Sequence, residues 1–427
     1  MSSLNKLTAT DAARRIAAGE VSSEAIVADC LAHIREREPV VMAWQHLDED
    51  YALGQARRRD AERPSGLLHG VPVGVKDIYD THDMPTTWGT PIHADRHPDA
   101  DAAVVALLRA AGAVILGKTV TTEFAGLDPG KTRNPHDSGR TPGGSSSGSA
   151  SAVADEMVPV ALGSQTAGSV IRPAAFCGVV GYKPSFGVLG RRGMAPIAEE
   201  LDTVGYMARS VEDIALLMAV LTLRAPMPPV QPRATPLRVG VCRTHLWPEI
   251  DQSAADALDD AARRLAASGA TLAEVVLPRQ FADLTPRLMT LIGFEAARTF
   301  AHEWHTDRDR MGPNLQALIE TGLETRYEEY IAACRFGAAC RAELAALFEG
   351  SDVLLTVSAK GEAPEGLSST GDTRFQSMWT FLHVPCITLP TARGPNGLPV
   401  GIQLVGPFHG DDTLLAQARW AADLLIG

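Results

Sequence analysis

Residues 140–154 read RTPGGSSSGSASAVA, a run of Gly and Ser that by composition alone passes for a flexible linker. Such tracts usually behave as solvated coil, so a connector is the default reading. This one is short, and it runs directly into SASAVADEMVPVALG, whose Ala-rich start favours helix and whose end is apolar enough to be buried. A Gly/Ser loop that opens a helix is a structured object, because the first turn leaves backbone N–H groups without intrahelical acceptors. Connector or site is therefore the question on which the rest of the chain turns.

The 427 residues are enough for a substantial core and, by length alone, for about two or three domains. Hydrophobic residues at 45% and charged residues at 21% place the chain among ordinary globular proteins rather than disordered ones. The net charge of -12 argues against nucleic acid or an anionic membrane as the main partner, since phosphate binding needs a basic surface. The start, MSSLNKLTATDAARR, lacks the apolar core of a signal peptide, and the apolar run IALLMAVLTL stops at Arg224, short of a membrane span. The cysteines at 30, 177, 242, 334, 340 and 386 form no CxxC pair and have no zinc-like histidine spacing. The simplest expectation is a cytoplasmic, disulfide-free protein.

Outward from the tract, SSEAIVADCLAHIRERE carries apolar residues at helical spacing after a serine cap, which predicts a helix from Ser22 or Ser23. GVPVGVKD reads as a short buried strand ending at Lys76 and Asp77. DAAVVALLRAAGAVILGKT reads as helix, a stop at Gly112, then a strand through Val114, Ile115 and Leu116; AADALDDAARRLAASGATLAEVVLP repeats the pattern with a stop at Gly269. Strands alternating with helices predict an α/β layered architecture. The prolines of RAPMPPVQPRATP, at 226, 228, 229, 232 and 236, read as a stiff connector between two halves. Beyond it come a long helix through TRYEEYIAACRFGAACRAELAALFEG, the strand DVLLTV and the closing stretch GLPVGIQLVGP.

Three motif readings compete. GAVILGKT, residues 112–119, satisfies the P-loop pattern letter for letter, but Ala113 to Leu116 form a continuous apolar run that reads as buried strand where a phosphate-wrapping turn is required. Gly144 to Gly148 matches the G-x-S-x-G nucleophile elbow around Ser146, yet an elbow needs a buried strand before it, and TRNPHDSGRTP is polar and broken by proline. The third reading combines Lys76 at a strand end, Ser145 in the Gly/Ser loop and Ser169 in GSQTAGSVIRPAAFCG. A serine hydroxyl needs a base, and a lysine can serve when burial disfavours its ammonium form; a second serine between them can relay the proton. Thr166, Ala167 and Gly168 are small enough for a tight turn that directs main-chain N–H groups at one point, an oxyanion hole.

Taken together, GVPVGVKDIYDT, AGAVILGKTVTTEFA, TRNPHDSGRTPGGSSSGSASAVA, GSQTAGSVIRPAAFCGVVGYKPSFG, LDTVGYMARSVEDIA and GLPVGIQLVG resemble the amidase signature family over essentially the whole chain. The Val-Ile-Arg-Pro that follows Ser169 is most similar to the malonamidase-type branch. The resemblance implies an α/β fold with a central mixed β-sheet covered by helices on both faces. It also implies one domain over 1–427, with an N-terminal catalytic half to about 225, the connector 225–236 and a C-terminal half 237–427. It implies a Ser-cisSer-Lys triad that uses no metal or organic cofactor: Ser169 as nucleophile, Ser145 as bridging serine at a cis peptide bond, and Lys76 as base. On this resemblance the Gly/Ser tract is a site and not a connector.

Where many relatives have Asp-x-Gly-Gly-Ser, this chain has Gln165-Thr166-Ala167-Gly168-Ser169, and the Ala167 methyl narrows the conformations open to the oxyanion loop. The branch implies that Arg172 faces a substrate carboxylate, which suits a guanidinium fork; the alternative is that Arg172 pairs with a carboxylate of the protein. By the same resemblance Glu123, Phe124, Gly126, Leu127 and Gly144 lie along the substrate cavity. His302 and His305 in HEWH lack zincin spacing and read as helix surface. The expected activity is hydrolysis of a small-molecule amide, with a carbamate, urethane or aryl amide as alternatives on the same triad, and a non-catalytic binding protein as the remaining one. The oligomeric state is open, a homodimer included.

Overall fold

The computed structural model describes residues 3–227 and 236–426. Eleven strands form one sheet: β1 Trp44–Leu47, β2 Pro72–Lys76, β3 Val114–Thr119, β4 Val160–Gln165, β5 Val180–Lys183, β6 Thr203–Ala208, β7 Arg238–Val241, β8 Thr271–Glu274, β9 Val353–Val357, β10 Cys386–Arg393 and β11 Pro399–Val405. Their order is β1-β3-β2-β4-β6-β5-β10-β11-β9-β7-β8. Two parallel triplets, β3-β2-β4 and β8-β7-β9, are joined through antiparallel neighbours. Helices cover both faces of this mixed sheet, the expected α/β architecture. β10 and β11 run from the far side of the proline-rich segment back between β5 and β9, so strands from both halves share the sheet. Prolines 228, 229 and 232 of that segment lie outside the described residues.

Local signals explain the elements. The helix Ser23–Val41 starts where Ser22 accepts the Ala25 N–H, and the helix Ala103–Ala110 gives way to β3 through Gly112 at φ +89°. The helix Gln252–Ala267 stops before Gly269 and leads into β8, and the helix Tyr327–Leu347 and strand β9 sit where the periodicity places them. All six cysteines are free thiols. Among the described residues no helix is long and apolar enough to cross a membrane.

The Gly/Ser tract is no linker, because every residue from 141 to 153 is buried. The helix Ser147–Ala154 packs on β2, β3 and β4 and against the helix Ile171–Cys177. Gly143 turns at φ +80° with its Cα hydrogens facing the Pro173 backbone, a position that excludes a side chain on both counts.

Candidate active site

Ligand sites in α/β sheets gather at the carboxyl ends of parallel strands, and of the two parallel triplets here β3-β2-β4 carries Lys76 at such an end. Register decides which side chains meet there. Val75 of β2 pairs with Lys118 of β3, and Lys76 with Thr119, so Lys118 shares the face of Val75 and Asp77 while Lys76 points the other way. Lys118 accordingly pairs with Asp77 at 3.1 Å and donates to the carbonyl of Tyr79 and the hydroxyl of Thr86. The P-loop match is thus a buried structural lysine on a strand, as the apolar run implies.

On the opposite face Lys76 is completely buried and its Nζ donates to the Ser145 hydroxyl at 2.6 Å and to the Ser164 hydroxyl at 2.8 Å. Burial pushes its amine well below the ordinary lysine range, opposed only in part by the charge of Asp202. Both partners are hydroxyls, which can donate as well as accept, so a neutral amine can take the Ser145 proton on its lone pair while donating to Ser164. The Gly144–Ser145 peptide is cis.

Ser169 follows β4 and precedes the helix Ile171–Cys177; its carbonyl accepts the Ser146 N–H, which brings the two serine loops together. Its hydroxyl has no hydrogen-bond partner among the described residues. Gln165 Oε1 accepts the N–H groups of Val170 and Ile171, and Thr380 donates to the Ala167 carbonyl, so the intervening turn is pinned from both ends. Among the described residues the N–H groups of Ala167, Gly168 and Ser169 have no acceptor. Ser146, the centre of the elbow motif, is spent on structure: its Oγ accepts the Ser164 N–H and donates to the Ser164 carbonyl.

Arg172 is buried, and one guanidinium nitrogen donates to the carbonyl of Gly144 at 2.6 Å and to the hydroxyl of Thr370 at 3.0 Å. Its Nε and Nη1 have no partner, and no carboxylate among the described residues lies within ion-pair distance, so the protein-carboxylate alternative fails. Burial lowers its guanidinium to about 10, opposed by Asp372. The segment from Glu123 to Leu127 borders Ser145, whose carbonyl accepts the Thr122 N–H. Glu123 itself accepts the Thr90 hydroxyl and the Gly312 N–H, Phe124 packs between Trp88 and Phe300, the Gly126 carbonyl accepts the Thr122 hydroxyl, and Leu127 is exposed.

His302 and His305 are both exposed on the helix Ala301–Thr306. The cluster of ligand-type atoms among the described residues, His82 with Asp83 and Asp101, is occupied by Arg109, which pairs with both carboxylates.

Two site residues escape sequence reasoning. Ser164 is an ordinary serine inside a strand, and only the pairing of β2 with β4 brings it to Lys76. Asp202 sits in the stretch LDTVG, where nothing in the spacing points to β4; it accepts the Thr166 hydroxyl at 2.5 Å.

The amidase family profile matches residues 25–415. A glutamyl-tRNA(Gln) amidotransferase subunit from Symbiobacterium thermophilum is 34% identical over 97% of this chain and 96% of its own. Among solved structures, an amidase superposes with a TM-score of 0.90 at 29% identity, covering 98% of this chain and 100% of that one. The peptide amidase of Stenotrophomonas maltophilia gives 0.85 at 29% identity, over 99% and 97%. Relatives from Microcystis aeruginosa and Chloroflexus aggregans, each 32% identical over 94% and 97% of this chain, bear the same amidotransferase name.

Proposed function

Since this chain belongs to the amidase family, we propose that it hydrolyses the C–N bond of a small amide through an acyl-enzyme on Ser169. The observation that carries the reading is the fully buried Lys76 held 2.6 Å from the Ser145 hydroxyl, with no carboxylate partner among the described residues. Ser169 Oγ attacks the carbonyl carbon while its proton passes through Ser145 to neutral Lys76. The oxygen that becomes negative takes N–H groups of the turn Thr166-Ala167-Gly168, with that of Ser169 beside them. The C–N bond then breaks, the amine leaves with the relayed proton, and water repeats the cycle to release the acid.

The unpartnered Nε and Nη1 of Arg172 support a substrate with a carboxylate or another acceptor on the acyl side, the feature of the malonamidase-type branch. The same reading puts Gly144, which Arg172 holds by its carbonyl, and Gly126 and Leu127 along the substrate's path. A second reading, a component that releases ammonia for transfer to an acceptor, is favoured by the amidotransferase relatives, which match nearly end to end. Carbamates and aryl amides are the alternative substrates that the same triad could take.

A fluorophosphonate with mass mapping tests the nucleophile: the label belongs on Ser169, and a label on Ser146 overturns the assignment. A substrate panel of malonamate, glutamine, neutral primary amides, p-nitroanilides and carbamates then separates the readings. Turnover confined to glutamine favours the ammonia-transfer reading.

A further inference from the structure

Asp202 lies just before β6 and is 3% exposed. Its Oδ1 accepts the Thr166 hydroxyl at 2.5 Å, and its Oδ2 accepts the N–H groups of Ile197 and Ala198 at 2.7 and 3.1 Å. Three donors converge on an acceptor-only group; a carboxamide could keep the two backbone contacts through its oxygen, but it would meet the Thr166 hydroxyl with an N–H and reverse that bond. No Lys or Arg among the described residues pairs with it within ion-pair distance; Arg191, which reaches the Asp202 carbonyl, contributes at longer range. Burial raises its carboxyl to about 6. A buried carboxylate without a cationic partner is a costly way to tie down one loop. Its position gives it more to do. Thr166 is the residue immediately before the free N–H groups of 167–169, and Asp202 is also the charged group that acts on Lys76 and on Tyr79.

We propose that Asp202 is a positioning residue for the reaction, fixing the oxyanion turn through Thr166. The inference rests on the reading of Ser169 as nucleophile. A charge-assisted hydrogen bond at this distance is about twice as strong as a neutral one, which suits a contact that anchors the turn carrying the unpartnered N–H groups. The groups in contact with Lys76 are the Ser145 and Ser164 hydroxyls, with the charge of Asp202 acting at longer range; those in contact with the Asp202 carboxylate are the Thr166 hydroxyl and the 197–198 backbone, with Arg191 at its carbonyl. Without the carboxylate the ammonium of Lys76 is less favoured, so neutral lysine persists to lower pH.

The test is the rate at which a fluorophosphonate labels Ser169, measured from pH 6 to pH 10 on the full chain. It needs no knowledge of the substrate. Thr166→Val keeps the shape and removes the hydroxyl; it is expected to slow labelling on the order of 100-fold, the scale of a lost oxyanion contact, while Thr166→Ser stays near wild type. Asp202→Asn is expected to lower the plateau and move the rising limb to lower pH. Equal rates for Thr166→Val and Thr166→Ser, or a limb in a folded Asp202→Asn chain that coincides with wild type, would overturn the role of Asp202. Should Asp202→Asn fail to fold, the Thr166 pair decides. A wild-type chain labelled elsewhere than Ser169, or not at all, sinks the nucleophile assignment and this inference with it.

Discussion

Lys76→Met should kill the enzyme and change the pH dependence of its stability in a calculable way. The side chain is fully buried, bonded to two hydroxyls and lacking an ion pair, and burial holds its pKa well below the ordinary range. In the unfolded chain the amine titrates near ~10.4. Above that pH the lysine is neutral in both states and burial costs nothing through protonation. As pH falls, the unfolded chain takes up a proton that the folded one refuses, and wild type loses stability at up to ~1.4 kcal/mol per pH unit until the folded pKa is reached. Methionine has no such term. It forfeits the hydrogen bonds to Ser145 and Ser164, a pH-independent cost of about 1–3 kcal/mol. The stability difference, wild type minus variant, should therefore climb steadily with pH, at a slope of up to ~1.4 kcal/mol per unit. Urea unfolding of both proteins at pH 7, 8 and 9 reads that slope, since other titrating groups cancel in the difference. A flat difference would mean that the fold retains the ammonium, and an ammonium cannot accept the nucleophile's proton.

Lys118→Met leaves Asp77 buried without its partner and should lower stability by about 3–5 kcal/mol, while calorimetry on wild type should find no ATP binding; tight ATP binding would restore the P-loop reading. Gly168→Ala would place a methyl 2.6 Å from Gln376 Oε1 and 3.2 Å from Arg172 Nη1, and Gln376 cannot swing away because its amide holds the Ser358 carbonyl. Such overpacking is expected to cost about 1–3 kcal/mol in thermal unfolding and to slow Ser169 labelling; an unchanged labelling rate would show that the turn has slack. Arg172→Met should reduce kcat/KM more for carboxylate-bearing amides than for neutral ones, and an equal loss in both would assign the guanidinium to holding the Gly144 carbonyl alone.

Chain-local physics made much of this protein legible in advance. The strands at β2, β3 and β9, the Gly112 and Gly269 stops, and the serine cap at Ser22 depend on neighbours within a few residues, and alternation or helical spacing reports them. Lys76, Ser145 and Ser169 could be nominated together because family-like motifs surround each of them. What register and packing decided was out of reach. Lys76 and Lys118 look alike as buried lysines at the ends of apolar strands. Only the parallel pairing of β2 with β3 sends one to a carboxylate and the other to two serines. Ser164 and Asp202 come to the site from neighbouring strands, and Thr370 reaches Arg172 from 198 residues away. Hydrophobic periodicity tells which face of an element is buried, but not which element lies against it. Partners that meet across a sheet are chosen by long-range packing, to which a single strand's pattern is blind.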